Sequence, residues 1–194
     1  MDATQHNEAW TGQGEPIAWR PTPEYLERSR LLKFMRQHGV DTYEQLCARA
    51  NADPAWFWDA TVKDLDLRWY QPYSKVMDTS DGIEWTRWFI DGQFNYVASA
   101  LDKHIGQAGT GAMSPQPDHM ALIWEGEEGH ARRFTYAELA HLTNQAANAL
   151  TQLGVQKGDR VGIFMPMVPE TVAATLACGK IGAIFIPIFS GYGA

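Results

Sequence analysis

The segment from Gly154 to Ala194 constrains the fold most, because it reads as a single β-α-β unit. Residues 161–165 (VGIFM) are a short apolar run after the turn Lys157-Gly158-Asp159, the pattern of a strand buried on both faces. Pro166 and Pro169 let a helix begin, with Glu170 in its first turn facing the positive end of the helix dipole. Small and apolar residues continue over 171–181, and Gly179 and Gly182 are expected to end the helix. Residues 183–188 (AIFIPI) are a second apolar run. A crossover of this length between two such strands implies parallel pairing through a right-handed connection. Residues 189–193 (FSGYG) follow as a glycine-bearing loop at the strand's carboxyl end, where open parallel sheets place their ligands. One crossover leaves a sheet half built, so the expectation is the front portion of a longer α/β protein.

With 45% hydrophobic and 12% aromatic residues, the 194-residue chain has ample material for a core. A net charge of −7 with scattered Lys and Arg argues against nucleic-acid binding. The densest basic group, Arg28, Arg30, Lys33 and Arg36, reads as a solvated helix face. The first residues lack the basic and apolar regions of a secretory leader, and no apolar run approaches the roughly 20 residues that span a bilayer, so no membrane is expected. Cys47 and Cys178 lie far apart with no CxxC pattern, so neither a disulfide framework nor a zinc site is expected and the default setting is cytoplasmic.

Ahead of the β-α-β unit the chain changes character. Residues 1–21 read as a polar arm; Thr22-Pro23 opens a helix to about His38, Thr42-Tyr43-Glu44-Gln45 is a capping box, and Asp53-Pro54 starts a third helix. Residues 65–76 read as irregular, and 94–104 as a helix. Seven of the eight tryptophans precede residue 90, which marks an aromatic core or docking surface more than a ligand box. Residues 106–117 hold three glycines and two prolines and read as a linker. Beyond it, residues 120–125 and 131–134 flank a turn at 126–129 as a hairpin, and Thr135-Tyr136-Ala137-Glu138 caps a helix that runs to Gly154.

Few local motifs carry chemistry. Gly154-Val155-Gln156-Lys157-Gly158-Asp159 joins a helix to a strand, the wrong order for a phosphate loop, and reads as a structural turn. The six histidines include no i,i+3 or i,i+4 pair, so no helical metal site is expected. Asp102-Lys103-His104 sets an acid beside a base, but neighbours on a helix do not face each other, and a structural ion pair or cap is the expectation. Ser190 with Gly191 and Gly193 is the loop best placed for ligand contact.

Taken in order, these patterns resemble the N-terminal part of the AMP-forming acetyl-CoA synthetase group among the adenylate-forming acyl-CoA ligases. Trp88-Phe89, Gly92, Asn95 and Leu101-Asp102-Lys103-His104 look like that group's WFxGGxLN…NxLDRH stretch. Thr135-Tyr136-Ala137-Glu138-Leu139, Gly154 through Val161, Pro166-Met167-Val168-Pro169-Glu170 and Gly182-Ala183 look like its TYxEL, GVxxGDRV, PMxPE and GA segments. Three departures stand out: Asp91 in place of glycine, Ser99 in place of asparagine, and residues 186–192 (IPIFSGY) in place of the acetate enzymes' HSVVFGGF.

The resemblance implies a two-step reaction in which a small carboxylic acid attacks the α-phosphate of ATP and CoA thiolate then displaces AMP. ATP, Mg²⁺ and CoA serve the full-length family, whose phosphate loop and C-terminal lysine domain have no counterpart here, so no catalytic residue and no metal ligand is assigned and none of the three is expected to bind tightly to this chain alone. Phe189, Ser190 and Gly191 carry over as CoA-side contacts. The expected fold class is α/β: a helical, Trp-rich region (1–105), a linker (106–117) and the start of a mixed, mainly parallel AMP-binding domain (118–194), incomplete at its C-terminus. The chain is thus read as an inactive fragment of a short-chain acyl-CoA ligase, with a non-catalytic interaction module as the alternative and self-association through the unpaired sheet edge expected.

Overall fold

Helix caps mark out the first elements of the computed structural model, which describes residues 19–107, 114–189 and 191. Two units are resolved, residues 1–57 and 58–194, and their boundary falls within a helix.

In the first unit the single helix expected over 22–38 is two, α1 (Pro23–Arg28) and α2 (Arg30–Gln37). Between them Ser29 is extended (φ −69°, ψ 137°), and its hydroxyl accepts a hydrogen bond from the Leu32 amide at 3.0 Å. A serine that can cap offers the backbone an alternative to continuing the helix, which the pattern of apolar residues does not reveal. Thr22 caps α1, and Arg36 reaches back to Glu27 at 2.6 Å, in keeping with a solvated basic face. In α3 (Tyr43–Ala52) only half of the expected box closes on its cap: Thr42 accepts from the Gln45 amide, while the Gln45 side chain takes the Asp41 amide. Asp53 accepts from the Trp56 amide as α4 (Pro54–Asp64) begins. Phe34, Met35, Val40 and Leu46 are buried, with Trp56 and Phe57 packed on Phe34 and the Arg49 guanidinium 3.6 Å from the Trp56 ring centre.

The second unit opens with two short antiparallel pairs where irregular chain is expected. β1 (Trp69–Gln71) pairs with β4 (Gln93–Phe94), and β2 (Lys75–Asp78) with β3 (Arg87–Ile90). Pieces of two to four residues are too short for alternation to show. Trp69 sits at their centre, with Tyr73, Phe89 and Phe94 rings 5.0–5.3 Å from its own, an aromatic core as the sequence suggests. Two departures from the family pattern have physical roles here. Asp91 adopts a left-handed conformation (φ 62°) that glycine favours, and its carboxylate accepts from the Ser74 hydroxyl. Ser99 is buried and accepts from the Arg68 amide at 2.8 Å.

The helix expected over 94–104 is short: α5 (Tyr96–Ala100) breaks at Leu101 and a 3-10 turn follows at Asp102–Ile105. Of the linker at 106–117, residues 108–113 lie outside the described residues. The hairpin of β5 (Met120–Glu125) and β6 (Ala131–Thr135) forms as read, and Thr135 and Glu138 close a full capping box at the start of α6 (Tyr136–Gln152). The turn at Gly158, with its amide bonded to the Gly182 carbonyl at 2.9 Å, leads into β7 (Arg160–Phe164). α7 (Pro169–Ile181) then crosses to β8 (Ile184–Ile188), and β7 and β8 are parallel. Gly182 ends α7 in a left-handed cap as expected, but Gly179 lies inside the helix. It is glycine for another reason: a Cβ there would run into the Tyr96 ring.

Two apolar clusters hold this unit together. Val97, Leu101, Leu139 and Ala140 gather Leu122, Phe134, Val172 and Leu176 around them, so the segment of α5 is built into the same core as α6 and α7. Ile163, Cys178 and Ala183 form the second, with Leu150, Val161 and Met165. The burial on both faces that the apolar run of β7 suggests is not reached, and β8 forms the open edge that the half-built sheet implies. β8 is exposed at all five positions and only Ile163 of β7 is fully buried, because a parallel sheet is covered by layers that a single crossover does not supply.

Candidate ligand edge of the parallel sheet

Ligands of open parallel sheets lie beyond the carboxyl ends of the strands. Here those ends are Phe164 and Ile188, which are paired neighbours, so the chain leaves the sheet at the same edge into residues 165–168 after β7 and Phe189 after β8. Phe189 is 67% exposed. A Cβ at Gly191 would lie 2.6 Å from Cε1 of Phe189, so the backbone turns closely against its own ring. Ser190 lies outside the described residues.

The loop after β7 is held from three sides. Its Pro166 carbonyl accepts from the Thr171 hydroxyl (2.7 Å) and the Val168 amide (2.8 Å). Trp124, on β5, donates its indole N–H to the Met167 carbonyl at 2.7 Å. The Trp124 ring lies over Gly126, where a Cβ would come within 2.6 Å of it. Arg132, on β6, clasps both Glu170 carboxylate oxygens at 2.6 and 3.1 Å, which holds that carboxyl below its usual range and raises the guanidinium's. The hairpin therefore fixes the start of α7, while the Met167 side chain stays 84% exposed.

At the opposite end of α7, residues from the segment before the linker take its last carbonyls. Asn95 caps α5 through its oxygen and donates its amide N–H groups to the Gly179 and Lys180 carbonyls at 2.9 and 3.3 Å. Tyr96 donates to the Thr175 carbonyl at 3.2 Å. Asp102, buried, pairs with Lys180 at 2.7 Å, which is the structural ion pair expected of Asp102-Lys103-His104. His104 does not face Asp102 as a base but stacks on Tyr136, ring centres 4.0 Å apart, and burial first, then Lys103, lower its pKa. No three His, Cys, Asp or Glu side chains converge on a metal-sized site among the described residues. No helix among them is long and apolar enough to cross a membrane.

Sequence reasoning places Phe189, Ser190 and Gly191 in one loop, but it misses the partners that frame it. Trp124–Met167, Arg132–Glu170 and Asn95–Gly179 join residues 38 to 84 apart, and no spacing rule within one chain flags such pairs.

A mixed helical and parallel-sheet unit with its crossover helix tied to an N-terminal helical segment is the class that the fold defines. Residues 43–100 match the family model of the acetyl-coenzyme A synthetase N-terminus, and residues 111–194 that of the AMP-binding enzymes. Acetyl-coenzyme A synthetase of Methanothrix soehngenii is 35% identical over 93% of this chain and 26% of its own length. That of Serratia proteamaculans is 43% identical over 77% and 22%, and the 3-hydroxypropionyl-coenzyme A synthetase of Metallosphaera sedula 39% over 85% and 23%. The solved acetoacetyl-CoA synthetase of Streptomyces lividans superposes with a TM-score of 0.76 at 27% identity, over 90% of this chain and 27% of that one. The chain belongs to the acetyl-CoA synthetase-like, adenylate-forming enzymes and corresponds to their N-terminal part, spanning about a quarter of the length of the curated relatives it matches.

Proposed function

We propose that this chain is the N-terminal portion of an ATP-dependent, AMP-forming ligase that joins a short carboxylic acid to CoA. The observation that carries the reading is the occurrence, in order in one chain, of the acetyl-coenzyme A synthetase N-terminal segment and the opening of the AMP-binding segment. Within it, Phe189, Ser190 and Gly191 form the CoA side of the site. Residues 1–105 are the N-terminal region, 106–117 the linker and 118–194 the first part of the AMP-binding domain. ATP and Mg²⁺ belong to the whole enzyme. The protein works in the cytoplasm without nucleic acid, and the 194-residue chain neither turns over nor holds these cofactors tightly by itself.

The five exposed residues of β8 favour a second reading, a non-catalytic module that associates through this edge. Reading the coding DNA beyond codon 194 and expressing the whole frame separates the two. A phosphate-loop sequence and a product that makes acyl-CoA and AMP from ATP, CoA and acetate, propionate or butyrate support the ligase. An unrelated continuation, or a frame product without carboxylate-dependent AMP release, supports the module.

A further inference from the structure

A cavity of about 470 Å³ opens between β6 and the first two turns of α6, and none of its lining residues belongs to β7, β8 or the loops that follow them. Its floor is apolar. Phe134 and Leu142 are half-buried there, and Phe134 packs on the cluster of Val97, Leu101, Leu139 and Ala140. The frame is fixed as well, because the capping box at Thr135 sets where α6 starts from the end of β6. Two polar side chains at this cavity lack partners. Among the described residues, the Arg133 guanidinium on β6 and the His141 imidazole on α6 take part in no hydrogen bond or ion pair, whereas the neighbouring Arg132 is paired with Glu170. A surface arginine on flat ground is simply solvated. One set at an apolar cavity, with a second unpaired donor from the other element, has the arrangement by which small-molecule sites orient a ligand.

Charge selects the occupant. Arg133 carries a fixed positive charge, and the Glu138 carboxylate, whose Oε2 accepts from the Thr135 amide at 2.8 Å, brings a negative one to the same cavity. With Arg132 and Glu170 cancelling, one cation is matched by one negative charge on the ligand, and a phosphate dianion would set its surplus against Glu138. A planar carboxylate fits the fork of Arg133 as a bidentate pair, and an apolar tail covers Phe134 and Leu142. We propose that this cavity binds a free monocarboxylate with an apolar tail: Arg133 holds the carboxylate, His141 donates a second hydrogen bond to it, and Phe134 with Leu142 receives the tail. This site is separate from the CoA-side loop and stands independently of the ligase reading.

The test uses the 194-residue chain with ¹³C-labelled histidine and phenylalanine rings, assigned at the site through His141→Gln and Phe134→Leu. It is titrated at fixed pH and ionic strength with hexanoate, hexanamide, acetate and inorganic phosphate. The His141 and Phe134 ring signals should shift together with hexanoate and saturate at millimolar concentration. Hexanamide, which lacks the charge, and acetate, which lacks the tail, should each bind roughly tenfold more weakly. Phosphate should leave Phe134 in place. Arg133 is exposed, so Arg133→Gln spares the core, and it should weaken hexanoate roughly tenfold. Equal affinity for hexanamide would make this a plain apolar groove, and equal affinity for acetate or phosphate a bare surface charge; either result overturns the proposal. So does a hexanoate response that survives Arg133→Gln, or no response at all. A shift of Phe134 with His141 silent overturns the role of His141.

Discussion

Glycine at 179 reverses an ordinary expectation about helices. In a helix interior, Gly→Ala usually stabilises by about 1 kcal/mol. Here the added methyl would run into the Tyr96 ring, and crowding of that kind costs about 1–3 kcal/mol. Gly179→Ala should therefore lower the thermal midpoint of the chain, whereas in a Tyr96→Ala background the same change should be neutral or stabilising; a loss of equal size in both backgrounds would show that Tyr96 is not the cause. His104 gives a pH dependence with a defined sign. Its folded pKa lies below the ordinary value near 6.5, so the stability linked to its neutral form is complete above that value and is lost as the pH falls toward the depressed one. Urea midpoints should decline on the acid side of pH 6.5, and less steeply in His104→Phe. Sequence reading reached these residues only in part: an ion pair or cap was expected at Asp102, but its partner Lys180 lies 78 residues on, as Gly179 lies 84 from Asn95, and no local pattern encodes such pairs.

Elements with a local chemical signature were the ones that could be read ahead of the structure. The capping box at Thr135 and Glu138 is set by four consecutive residues, and both of its bonds form, at 3.2 and 2.8 Å. Thr135→Ala should cost about 1 kcal/mol, a drop in midpoint of roughly 2–4 °C by calorimetry. An unchanged midpoint would mean that α6 is held by packing alone. The break at Ser29 and the strands around Trp69 were illegible, since one was decided by a side chain that can cap or not, and the others by pairing between pieces too short to alternate. For β8 the apolar run was read as a strand covered on only part of its surface, and all five of its residues are exposed. Composition states what a strand is able to bury, and only the neighbours state what covers it. Exposed Ile184, Ile186 and Ile188 should make the chain self-associate, and sedimentation should show a concentration-dependent dimer that Ile186→Lys weakens. A monomer at every concentration, with no binding of a hydrophobic dye, would contradict this.

Across the whole molecule, the two ends of one crossover helix are tied to different parts of the chain. The second unit builds a parallel-strand edge, ties its crossover helix at one end to Trp124 and Arg132 and at the other to Asn95 and Asp102, and leaves Phe189 exposed beyond β8. The family was legible because its short patterns keep their order along the chain; the acyl chain was not, since no segment here resembles an acyl pocket. The most direct measurement is pyrophosphate release by the purified 194-residue chain supplied with ATP, Mg²⁺ and acetate, propionate or butyrate. The expected result is release no greater than in the absence of protein; carboxylate-dependent turnover by this chain alone would contradict the account.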